Sequence, residues 1–96
     1  MAYDLPLDEA IRNVGWKVKI RDRERLEPPH ATILFKRRAW RLCLRTRQFL
    51  DEGDSWKQIP SAVREAIEAR WKTLCEQWDA HYPNNPVLSA SDEQDN

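Results

Sequence analysis

Glycine is nearly absent from this chain. Its 96 residues hold only Gly15 and Gly53, so no glycine-rich loop can cradle a phosphate. Histidine is as scarce, at His30 and His81, and the two cysteines, Cys43 and Cys75, lie in separate apolar-periodic segments. No spacing among them resembles a zinc or carboxylate site, and no metal or other cofactor is expected. Without a C-x-x-C pair or a secreted-type array, both cysteines read as free thiols in a reducing compartment, a strand-to-helix disulfide being the rarer arrangement. No run approaches the roughly 18 apolar residues of a membrane span. The start, Met-Ala-Tyr-Asp-Leu-Pro, has no basic stretch leading into an apolar one. A cytoplasmic protein with no membrane partner is the expectation. There is no internal repeat, and a Ser-His-Asp arrangement has no positional support.

What is present is lopsided. Five Trp stand against two Phe and two Tyr, so a modest core must be built from large, shape-specific side chains. The formal charge of zero is a cancellation: residues 12–48 carry twelve Lys or Arg against three acids, and the flanking segments carry the compensating excess of acid. A field of that kind steers partners without defining them.

Three segments, Val14 to Arg21, Ala31 to Lys36 and Trp40 to Arg45, alternate with a period of two and predict three antiparallel strands. Val14, Trp16, Val18, Ile20, Ala31, Ile33, Phe35, Trp40, Leu42 and Leu44 then share a buried side. The other side collects Lys17, Lys19, Arg21, Thr32, Leu34, Lys36, Arg41, Cys43 and Arg45. A turn at Arg37-Arg38, or a four-residue loop with the same facing, places Phe35 opposite Trp40, Ile33 opposite Leu42 and His30 opposite Arg45. Asp4 as N-cap, Pro6 in the first turn and Leu7, Ala10, Ile11 and Val14 at helical spacing predict a short helix over 4–13, ended by Gly15. Pro28-Pro29 closes a charged loop, and Phe49-Leu50 read as a plug at the core's edge. From Ser61 to about His81, Val63, Ile67, Trp71, Leu74 and Trp78 form the stripe of one long helix laid across the sheet. The fold class is α+β: a three-stranded antiparallel sheet with one long amphipathic helix on its apolar face and a short N-terminal helix, in a single domain over 1–88. Residues 89–96 read as an acidic tail, disordered in isolation.

His30 is the candidate catalytic residue. A neutral imidazole among arginines suits acid–base chemistry on a phosphodiester; a hydrogen bond to a loop backbone is the structural alternative. Lys17, Lys19, Arg21, Lys36, Arg37, Arg38, Arg41, Arg45 and Arg47 are the candidate binding residues. Because Phe35 and Trp40 point inward, base stacking on the sheet is disfavoured, and phosphate contacts or an acidic protein surface remain.

The run Pro28-Pro29-His30-Ala31-Thr32-Ile33, between a strand and a strand pair followed by an amphipathic helix, resembles the small bacterial family of domains of unknown function numbered 4160, marked by Pro-Pro-His-x-His-Val. The second histidine of that mark falls on Thr32. The resemblance implies a mobile-element or toxin–antitoxin context. Three readings follow: an interaction protein binding an acidic partner, such as a cognate antitoxin, through the basic face; an RNA-binding or RNA-cleaving toxin using His30 and nearby arginines; and a structural homo-oligomer, such as a homodimeric integron cassette protein, without catalysis.

Overall fold

Alternation of large apolar and cationic side chains dictates the centre of the molecule. In a computed structural model describing residues 3–21 and 28–87, β2 (Trp16–Ile20), β3 (His30–Phe35) and β4 (Arg38–Cys43) form an antiparallel sheet. The loop over 22–27 and the expected acidic tail lie outside the described residues. A short strand, β1 (Tyr3–Asp4), adds a fourth member, giving the order β1-β2-β3-β4.

β1 corrects two expectations, the strand count and the start of the first helix. Asp4 pairs with Lys19, and the Leu5 N–H donates to Val18 O at 2.8 Å. Leu5 and Leu7 are buried while Asp4 and Pro6 are exposed, a period of two running where a helix was expected. The helix α1 spans Glu9–Val14, with Asp8 rather than Asp4 at its N-cap. Val14, expected in the core, ends that helix 63% exposed.

The hairpin register also differs by two residues. Phe35 faces Arg38, Ile33 faces Trp40, and His30 faces Cys43 rather than Arg45. The loop is Lys36-Arg37, with Lys36 in the left-handed region at φ 55°. A slip of two preserves the faces, so Trp16, Val18, Ile20, Ala31, Ile33, Trp40 and Leu42 still line the core. Trp16 stacks between Phe35 (centroids 4.3 Å) and Trp40 (5.6 Å). Phe49 bridges to Leu42 beyond β4 and meets Trp56 edge-on at 5.1 Å, as a plug would.

A 3-10 turn (Trp56–Gln58) leads into the helical layer. The single long helix is in fact two, α2 (Ser61–Ala69) and α3 (Trp71–His81), broken at Arg70 with φ −119° and ψ 28°. A straight run of that length would reach about 30 Å, against less than about 20 Å for a six-residue strand. The break lets α2 bury Val63 and Ile67 while α3 buries Leu74, Cys75 and Trp78. At its end Trp78 stacks on Tyr82 at 4.0 Å and donates to Asn85 O at 2.8 Å, and the Tyr82 hydroxyl donates to Arg21 O. Among the described residues no helix is long and apolar enough to cross a membrane.

Gly15 joins α1 to β2 at φ 123°, outside the range L side chains adopt. A Cβ there would meet the Phe35 ring at 3.9 Å, an ordinary contact, so the constraint is conformational. Gly15→Ala is expected to destabilise the fold by about 1–3 kcal/mol. The check is a lower denaturant midpoint at unchanged slope; an unchanged midpoint would refute the assignment.

Candidate functional site

The outward face of the sheet was expected to be an open basic plane. Its centre is closed instead. Thr32 lies between Lys19 and Arg41 in the ladder and is buried beside their half-buried stems. His30 and Cys43, paired across β3 and β4, are 1% and 5% exposed.

His30 Nδ1–H donates to Pro28 O at 2.9 Å, and the ring lies 5.4 Å from the Trp78 ring. The imidazole is thus enclosed and bonded to the loop backbone. General acid–base catalysis needs a substrate proton within about 2.6–3.2 Å, and the ring as folded presents no open side to one. Beyond it, Arg41 grips Asp51 with two parallel bonds, Nε to Oδ2 at 3.0 Å and Nη2 to Oδ1 at 2.6 Å. The Arg41 hydrogen bonds, outweighing burial, hold the Asp51 carboxyl below its ordinary value, with the Arg41 and His30 charges adding to the effect.

The nine candidate binding residues separate into two groups. Several are committed internally. Besides Arg41, Lys19 lies 3.6 Å from Asp4, and Arg45 donates to Asn85 Oδ1 at 3.2 Å and Pro86 O at 3.1 Å. Arg47, at φ 62°, lays its guanidinium 4.6 Å over Trp71 while its carbonyl accepts the Trp56 indole N–H. The others are more open. Lys17 and Arg21 are exposed on β2 and just past it, and Lys36, Arg37 and Arg38 are exposed together at the hairpin tip. Lys36 Nζ sits 5.1 Å over Phe35. Arg38 covers Trp40 at 4.5 Å and has one long contact, 3.4 Å, to Asp54. Arg37 and Lys17 have no ion pair among the described residues.

The two thiols are set apart by their surroundings. Burial opposes ionisation of Cys43, but the Thr46 side chain and backbone, the Arg45 backbone N–H and the Arg45 charge outweigh it and bring the pKa below the ordinary thiol value. Burial, reinforced by Asp79 and Glu76 against Arg47, pushes Cys75 up to about 11. Both are free. Among the described residues no group of three or more His, Cys, Asp or Glu is placed to hold a metal ion.

Sequence reasoning did not find the apolar groove formed by α1, Trp16 and Pro60, because Val14 was assigned to the core. A helix residue directly before Gly15 was the available signal. No family model, curated protein or solved structure matches the chain.

Two outcomes are expected. In a pH titration of thiolate absorbance, Cys75→Ala, which retains Cys43, should titrate below the ordinary thiol range, and Cys43→Ala should titrate near 11; the reverse order would refute the contrast. For Asp51, whose folded pKa is depressed, the ion pair stabilises the fold above the unfolded pKa and that stability is lost as pH falls through the folded one. Both side chains are more than a third exposed, so the contribution is below about 1 kcal/mol. Asp51→Asn should flatten the acid limb of stability against pH, measured by urea unfolding.

Proposed function

We propose that this chain is a small interaction protein whose β3–β4 hairpin docks on an acidic protein surface. One observation carries the reading. In a segment dense with cations, Arg38, Arg41 and Arg45 are tied to internal partners, whereas Lys36 and Arg37 stand exposed in succession at the tip, near Lys17 on the adjoining strand. Cations already bonded within the fold have little to offer a partner, and freeing them costs the bonds they hold. Lys36 and Arg37 hold no ion pair among the described residues.

An acidic antitoxin would have the required sign. That partner, with the bacterial mobile-element and cytoplasmic setting, belongs to this proposal through the Pro28-Pro29-His30 resemblance. A single-stranded nucleic acid suits the tip less well. Trp16 fills the space between Phe35 and Trp40, and Lys36 and Arg38 lie over those outer rings, so a base would have to displace a side chain before it could stack.

The test compares wild type with Lys36→Glu/Arg37→Glu for binding to poly-glutamate and to mixed cellular RNA, at about 50 and 150 mM salt. Salt-sensitive poly-glutamate binding should fall about tenfold or more in the double reversal. Unchanged poly-glutamate binding would overturn the assignment, and RNA binding lost in the reversal would transfer the tip to a nucleic-acid ligand. Charge reversal at Arg41 is a poor substitute, because it sets a carboxylate against Asp51 and perturbs the fold.

A further inference from the structure

Helix α1 has six residues and buries none of them. A helix that short has no stability of its own and ordinarily persists by burying an apolar stripe. Here only Ile11 packs partly against the core. Ala10, Ile11 and Val14 instead form one wall of a shallow groove of about 240 Å³, completed by Trp16 and Pro60. All five side chains are apolar. A single exposed valine needs no explanation; one at the lip of an all-apolar groove, on a helix with nothing buried, does.

The Trp16 wall of the groove lies at the hairpin end of the sheet, where Trp16 pairs with Phe35. Trp16 in its wall stacks on Phe35 at 4.3 Å, Phe35 carries Lys36, and the Phe35 ring lies 3.9 Å from the position of a Cβ on Gly15, next to Val14. Asp8 at the N-cap and Glu9 in the first turn mark the far end of α1, and Arg12 stands in its last turn. The apolar groove and the exposed cations Lys36 and Arg37 thus lie at the same end of the sheet.

Building on the hairpin reading above, we infer that groove and tip are one docking surface, and that its occupant is an acidic peptide segment of a partner protein. A bulky apolar side chain seats against Ile11, Val14 and Pro60, and carboxylates on one side of that anchor meet Lys36 and Arg37. Charge complementarity sets the sign of the occupant, and size sets its kind. The volume is below the roughly 300–1,000 Å³ of a small-molecule site. Five apolar residues also fall well short of the roughly 800 Å² per partner of a stable dimer. One anchor with flanking charges is the recognition mode that fits.

The experiment selects a phage-displayed library of random peptides, about twelve residues long, on the wild-type protein. The synthetic consensus peptide is then measured against Val14→Ser and Lys36→Glu/Arg37→Glu. Val14 is exposed, so its substitution leaves the fold intact, which circular dichroism verifies. The expected result is a consensus pairing one bulky apolar residue with several Asp or Glu, and a loss of about tenfold or more in affinity in each variant. Acidic peptides that ignore Val14→Ser would overturn the groove and leave the hairpin reading standing. Apolar peptides that ignore the charge reversal, or no enrichment, would overturn both. A wild-type dimer in sedimentation that Val14→Ser dissociates would give the groove to a second copy and overturn the peptide assignment.

Discussion

The inner face of β2, β3 and β4 is apolar except for Arg38 beside the hairpin turn, and it must be covered. Among the described residues α2 and α3 supply most of that cover, with Leu5, Leu7 and Ile59 adding to it, and the way the helices reach across decides most of the rest. Trp78 is the side chain on which the arrangement closes. It is fully buried, meets the His30 ring at the start of β3, stacks on Tyr82 and donates to Asn85 O. It thereby joins the end of α3 to the sheet and to the segment that follows the helix. Truncating a residue of this size would cost about 3–5 kcal/mol. The cost would be shared by three elements, since Arg45 and Arg21 also reach this end of the sheet through Asn85, Pro86 and Tyr82.

Charge is organised by the same closure. The cations are concentrated in residues 12–48 and the acids outside them, and folding brings selected members together: Lys19 with Asp4, Arg41 with Asp51, Arg38 with Asp54. Exposed pairs of this kind contribute about 0–1 kcal/mol each. Their effect is on position more than stability, because each fixes a long side chain and removes it from the set that can meet a partner. Lys36 and Arg37, in the hairpin turn, are left outside these pairs.

The strands were legible because period-two alternation survives in any register, and a slip of two residues changes partners without changing faces. The register itself was not. It depends on Lys36 adopting a left-handed conformation that the residue type does not advertise. β1 was illegible for a different reason: two residues are too few to show a period, and Leu5 and Leu7 fit a helix start as well as an extended segment. The break at Arg70 carries no proline or glycine, and it answers to the length of the sheet, a tertiary constraint absent from local sequence. Among the site residues, the cations were visible as a class. Which were committed was not, since their partners lie ten to forty-one positions away for Arg41 and Arg45.

His30 shows why parity alone misleads at the end of a strand. Alternation puts it outward with Thr32, which is buried between the stems of Lys19 and Arg41 in the sheet interior. At the sheet's end, however, the last turn of α3 and the residues beyond it wrap around, so an outward position there is enclosed by Trp78 and held by Pro28 O. Among the described residues, the opposite end of the sheet has no such cover. There the joint at Gly15 brings an apolar helix face alongside Phe35 and the exposed cations of the turn. The two ends of one sheet thus divide the work, one closed by aromatic packing and the other left with apolar surface and positive charge side by side.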